Sequence, residues 1–226
     1  MGLEDHIQDR ILMDYHNPHE NEICNCGVGK RLVKCRYDGC FQYPISCSAC
    51  FIKCHRHLPF HWVLEWDTTK RIWIQRNCSQ LSDSFEIQLG HVYDTEPKPC
   101  TGTSSSIPFI VTHTTGIHVS RLRFCGCLNA PDRFDQLMDA KLFPATVSEI
   151  SSPFTFAVLK DFHMQNFQSK CGAFDYLLAL RHLTDNVFTA KVPVSSLLTV
   201  IFPALIHIRI PIRLFSEYPV YGMPYS

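Results

Sequence analysis

Cys24-Asn25-Cys26, Cys35-x4-Cys40, Cys47-Ser48-Ala49-Cys50, His55 and His61 gather eight soft donors into residues 24–61. Eight residues separate the first pair from the second, six the second from the third, four precede His55 and five precede His61. Zinc takes four ligands in a tetrahedron and prefers thiolate and imidazole. Two donors a few residues apart can share one tight turn. A second pair from a distant stretch then closes a loop, so each ion supplies folding free energy. Eight donors imply two zinc ions.

The pairs can be used in order, or interleaved so that pairs one and three hold one ion and pairs two and four the other. Six cysteines followed by two histidines resembles the B-box and related cross-brace zinc fingers. That resemblance implies Cys24, Cys26, Cys47 and Cys50 for one ion, and Cys35, Cys40, His55 and His61 for the other. Cys24-x-Cys26 is shorter than the usual Cys-x2-Cys, and Cys35-x4-Cys40 is longer. Cys54 and His57 stand nearby as alternates. Four protein ligands leave no open coordination position, which makes such sites structural. A second cluster centres on Cys125-Gly126-Cys127, with His91, Cys100, His113 and His118 upstream. A third ion there would take Cys100, His118, Cys125 and Cys127. Cys78 and Cys171 have no partner spacing and read as core or surface thiols.

The remaining chain is ordinary for a globular protein: 226 residues, 46% apolar, formal net charge zero. The charge is segregated. Residues 1–23 carry Glu4, Asp5, Asp9, Asp14, Glu20 and Glu22 against Arg10 alone. Residues 24–57 carry Lys30, Arg31, Lys34, Arg36, Lys53 and Arg56 against Asp38 alone. An acidic opening without an apolar core is the wrong composition for a secretory signal. Reduced cysteines and a nuclear or cytoplasmic setting are therefore expected. The apolar run 194–208 is interrupted by Pro203 and contains His207. It falls short of the roughly 18–20 residues a membrane helix needs, so no membrane partner is expected.

These features predict an α+β protein: a flexible acidic leader over 1–23, a small zinc-stabilised cross-brace module over 24–66, then short strands and a helical C-terminal part over 67–188. Residues 189–226 form a divergent apolar, proline-punctuated tail. Strands are expected over 71–75, 109–112 and 117–124, where β-branched and aromatic residues lie between turn formers. Phe134, Leu137, Met138 and Leu142 fall on one helix face, started by Pro131-Asp132 and stopped by Pro144. Two more amphipathic helices are expected over 154–167 and 174–183.

Several short stretches together resemble the CxC-type cysteine cluster associated with KDZ (Kyakuja, Dileera and Zisupton) transposases, found especially in fungal genomes. They include Cys47-x2-Cys50 through His55 and Pro59-Phe60-His61, then Trp66, and Leu89-Gly90-His91. Gly116-Ile117-His118, Phe124-Cys125-Gly126-Cys127 and Leu142-Phe143-Pro144-Ala145-Thr146 follow, with Phe154-Thr155-Phe156, Gln168-Ser169-Lys170 and Leu183-Thr184-Asp185-Asn186 completing the series. The Cys-x-Cys of the family corresponds to Cys125 and Cys127. The resemblance implies a zinc-chelating region N-terminal to an RNase H-like transposase domain. Nothing here matches that domain, so a copy truncated before it is expected, without transposase activity.

Two functions follow from the residues. Lys30, Arg31, Lys34, Arg36, Lys53 and Arg56 could neutralise phosphates while Phe41, Tyr43, Phe51, Phe60 or Trp62 stack on bases, making a DNA-binding accessory module. Alternatively, the zinc module binds proteins, such as transposase or chromatin components. No nucleophile with a placed base, phosphate-cradling glycine loop or reasoned carboxylate pair is present, so no catalysis and no small-molecule substrate are expected.

Overall fold

The computed structural model describes residues 2–36, 40, 43–82, 85–90, 102, 105–145 and 152–192. It is a mixed α+β structure. The chain divides into two compact units, Met1–Phe109 with His118–Ala130, and Ile110–Ile117 with Pro131–Ser226.

The first unit opens with helix α1, Leu3–Asp14, over residues read from sequence as a flexible leader. None of its residues is buried. The segment after it is held: Asn17 is buried and its amide donates to the Arg31 carbonyl at 2.9 Å. Strand β1, Val33–Cys35, helix α2, Ser48–Cys54, and strands β2, Trp62–Asp67, and β3, Ile72–Asn77, follow. The strands form an antiparallel sheet in the order β1-β2-β3. Cys35 lies opposite Val63 and Trp66 opposite Trp73. The β2–β3 turn is set by Asp67, whose carboxylate accepts the N–H groups of Thr69 and Lys70, with Arg71 in the left-handed region. Short helix α3, Cys78–Leu81, is capped by the Asn77 side chain, which accepts from the Gln80 N–H. Val33, Phe51, Val63, Cys78 and Phe85 form the core beneath this sheet. Strand β4, Ile87–Gln88, is followed by β5, Ile107–His113, and β6, Gly116–Arg123; β4 runs parallel to β6.

In the second unit α4, Arg133–Asp139, begins as expected at Asp132, whose carboxylate accepts the Asp135 N–H at 2.8 Å. Leu142 does not continue the helical stripe. Lys141 takes a left-handed conformation, and Leu142 starts strand β7, Leu142–Pro144. A spacing of i, i+8 cannot reveal a single residue that reverses the backbone. Strand β8, Pro153–Thr155, pairs antiparallel with β7 and parallel with β5 through Thr112 and Phe154. Helices α5, Phe156–Ser169, and α6, Ala173–Thr184, pack Val158, Leu159, Phe162, Tyr176, Leu177 and Leu180 over Ile117 and Phe154. The tail from 193 onward lies outside the described residues. Among those described, no helix is long and apolar enough to cross a membrane.

Candidate metal centres

The first donor group is built on a tight hairpin. The Cys24 N–H donates to the Gly29 carbonyl at 2.7 Å and the Gly27 N–H to the Cys24 carbonyl at 2.8 Å. Gly27 sits at φ +77°, a conformation that costs a residue with a Cβ but is free for glycine. Gly29 is required for another reason: a Cβ there would meet the Cys47 Cβ at 2.7 Å. Cys47 caps α2 and Cys50 occupies its first turn, so both sulfurs leave the same end of one helix. The sulfurs of Cys24, Cys26, Cys47 and Cys50 all lie within 4.8 Å of one another. Cys26 and Cys47 are 3.6 Å apart, close to the roughly 3.8 Å edge of a tetrahedron with zinc–sulfur bonds near 2.3 Å.

The local field prepares these sulfurs unequally. The N–H groups of Val28 and Gly29 point at Cys26 and, with neighbouring thiols, lower its pKa to about 6. The backbone N–H groups of Cys26 and Cys47 lower that of Cys24. Cys50, facing Cys26 and Cys47, is pushed up to about 12. Four thiols this close cannot all ionise beside one another, and a divalent cation removes that conflict.

The second group comes from four different places. Cys35 ends β1, Cys40 lies in the following loop, His55 caps the far end of α2, and His61 immediately precedes β2. Their ligand atoms also fall within 4.8 Å of one another. Cys40 Sγ is 3.0 Å from His55 Nε2 and 3.1 Å from His61 Nδ1, while Cys35 Sγ is 3.7 Å from His61 Nδ1. His55 Nδ1 lies 3.0 Å from the Phe51 carbonyl. A proton on Nδ1 satisfies that carbonyl and leaves Nε2 bare toward the thiols, which is how second partners orient a metal-binding imidazole. The His55 ring also stacks on Phe51 at 3.8 Å, and Tyr43 meets it edge-on at 4.9 Å. Burial lowers the pKa of both histidines and keeps them neutral. Burial, then the adjacent Cys35, pushes Cys40 up to about 12.

The groups therefore interleave along the chain, and α2 joins them by carrying Cys47 and Cys50 at one end and His55 at the other. Four-sulfur and two-sulfur, two-nitrogen donor sets both suit zinc, and either group could hold a metal ion. Cys54 and His57 are exposed and join neither group. Cys78 is a buried core thiol, pushed up to about 12 chiefly by burial.

Among the described residues, the third donor set is not assembled in the same way. Cys125 and Cys127 form a knuckle in which the Cys127 N–H points at Cys125 Sγ at 3.4 Å. The Gly126 N–H donates to the Gly102 carbonyl at 2.5 Å. Cys100 and His91 lie outside the described residues. His118 joins no three-donor group among the described residues. It is fully buried and stacks on Trp62 at 4.3 Å, because His118, Ser120 and Leu122 share the inward face of β6.

The cationic residues are less available than their spacing implies. Lys34 Nζ pairs with Asp14 at 2.7 Å, and Arg31 pairs with Glu22 at 3.2 Å. Arg36 donates to Gln75. Lys30, Lys53 and Arg56 are on the surface. Tyr43, Phe51 and Trp62, read as base-stacking candidates, pack instead around the second donor group and the core. Phe41 lies outside the described residues. Sequence reading missed Gly29 and Phe51 as supports. The glycines following Cys26, and an aromatic four residues before a ligand histidine, were the available signals.

No curated protein and no solved structure matches the chain. Both assembled donor groups precede residues 82–188, the stretch that matches a family model, whereas Cys125 and Cys127 fall within it. The match begins after the motifs quoted from Cys47 to Trp66: residues 82–188 match the family model of the CxC2-like cysteine cluster associated with KDZ transposases.

Proposed function

We propose that this chain is a zinc-built, non-catalytic recognition module of a mobile-element protein, holding two ions in a B-box-like cross-brace and contacting DNA as an accessory to transposition. The observation that carries the zinc reading is the interleaving of two complete four-donor groups on either end of α2. Cys24, Cys26, Cys47 and Cys50 would hold one ion, and Cys35, Cys40, His55 and His61 the other. Each set is filled by protein, so the ions would supply folding energy and no open position for substrate. A third ion at Cys125 and Cys127, with Cys100, extends this reading. Support for DNA is the cationic run Lys30, Arg31, Lys34, Arg36, Lys53 and Arg56 around the donors, together with the transposase association of residues 82–188.

A second reading is docking to a protein of the transposase complex or chromatin. It draws on the engagement of Lys34 and Arg31 by carboxylates of the same chain. Salt dependence separates the two. Binding of a fluorescent oligonucleotide, measured by anisotropy across 50–300 mM NaCl (roughly the range over which phosphate binding is lost), should weaken linearly on a log–log plot. Absence of oligonucleotide binding, with salt-insensitive binding to a transposase fragment, would exclude the DNA reading.

A further inference from the structure

Residues 14–22 bring carboxylates onto the cations and aromatics of the sheet β1-β2-β3. Asp14 accepts from Lys34 at 2.7 Å, and Lys34 also donates to the Asp14 carbonyl at 2.9 Å. Glu22 pairs with Arg31 at 3.2 Å. Glu20 lies 3.4 Å from Arg71 and accepts the indole N–H of Trp66 at 2.8 Å. The buried Asn17 holds the segment down through the Arg31 carbonyl, and the His16 ring lies 6.5 Å from that of Trp66. Beneath these contacts Lys34 Nζ sits 4.6 Å over the ring of Trp73, itself edge-on to Trp66 at 5.1 Å. The Trp73 indole N–H is buried without an acceptor among the described residues.

We infer that the acidic segment 14–22 masks a cationic, tryptophan-bearing surface made by Arg31, Lys34, Trp66, Arg71 and Trp73, and that this surface binds a nucleic-acid strand when the segment lifts. The inference rests on the DNA reading above and gives that reading its site and its regulation. Each carboxylate stands where a phosphate would pair with the same cation. Covered, the Lys34 side chain is only 13% exposed and that of Arg31 23%, whereas Arg71 at the rim is paired with Glu20 but 63% exposed. Surface ion pairs are individually weak, so a polyanion that also releases counterions can displace the segment. The tryptophans favour a nucleic-acid strand over an acidic protein, because indoles stack on bases and give no comparable advantage against carboxylates.

The test uses the full chain and three proteins: wild type, the triple variant Asp14→Asn/Glu20→Gln/Glu22→Gln, and the control Glu4→Gln/Asp5→Asn/Asp9→Asn. The control changes net charge equally and leaves the latch in place. The probe is a mixed-sequence single-stranded oligonucleotide, read by anisotropy and by tryptophan quenching. The triple variant should bind about tenfold or more tighter at low salt, with a log–log salt slope steeper by about 2, since each of three freed cations contributes about 0.7 on a single strand. Tryptophan emission should be quenched, and the control should stay near wild type. Equal affinity and slope in all three would overturn the masking while leaving the DNA reading intact. No binding by any of them would overturn the DNA reading itself. A gain for polyglutamate but not for the oligonucleotide would make the covered surface a protein site. If the triple variant fails to fold, Asp14→Asn alone carries the test, with an expected slope change of about 0.7; an unchanged slope overturns the inference.

Discussion

Replacing Gly29 by alanine puts a methyl carbon 2.7 Å from the Cys47 Cβ and 3.4 Å from its Sγ. Apolar carbons rest about 3.5–4.0 Å apart, so either the hairpin or the α2 N-terminus must retreat by about 1 Å. Metal–ligand distances tolerate only about 0.2 Å. The displacement therefore falls on the first donor group, and zinc affinity there should drop by about 10–100-fold, beyond an overpacking cost of about 1–3 kcal/mol. Gly27 makes an internal control two residues away. An added Cβ there has nothing within 4 Å, but φ is +77°. Gly27→Ala should cost only about 1–2 kcal/mol of left-handed strain and keep both ions. The assay is competition of each protein against a chromophoric zinc chelator, alongside thermal melting. Gly29→Ala should release one ion early and hold the other. Retention of both ions with wild-type affinity would refute the proximity of Gly29 to a metal ligand.

Other perturbations address the second group and the spare thiols. Phe51→Ala removes a fully buried ring stacked on His55 at 3.8 Å. It should cost about 3–5 kcal/mol in chemical denaturation and weaken one ion. Cys40→Ser should remove one zinc equivalent, whereas Cys54→Ser, at an exposed thiol outside both groups, should leave zinc content and melting unchanged. Acid should destabilise this region in a defined direction. Burial depresses both His55 and His61 below the ordinary value of 6.5. The folded state thus binds fewer protons than the unfolded one. Stability is full above about pH 6.5 and falls as pH drops through that value toward the depressed ones. Protons compete with metal for the same nitrogens, so zinc release should follow the same direction; release unchanged from pH 7 down to 5 would contradict it.

How much of this was legible in the sequence depends on whether a feature is local. The donor spacing named the eight donors, because paired cysteines and histidines are a chemical signal independent of fold; their division into two interleaved groups came from the resemblance to cross-brace zinc fingers. The start of α4 at Asp132 was also visible, since a carboxylate capping the N–H of Asp135 is a short-range event. The break at Lys141 was not: a lysine in the left-handed region carries no compositional mark, and Leu142 completed a helical stripe that the backbone abandons. His118 is a different case: it was read as an available partner upstream of Cys125 and Cys127, and the two-residue period of β6 turns it inward onto Trp62. The blocks of opposite charge in 1–23 and 24–57 were read separately as leader and binding face. Their meaning lay in pairing with each other through Asp14–Lys34 and Glu22–Arg31, contacts that sequence separation conceals.

The central claim is that two interleaved donor groups hold metal, and the most direct measurement is elemental analysis of zinc in freshly purified, reduced full chain at known protein concentration. The account predicts two ions per chain, or three if Cys125 and Cys127 complete a site, and their removal by chelator should abolish the thermal transition of the first unit. Folded protein with no zinc, and a melting curve indifferent to chelator, would contradict it.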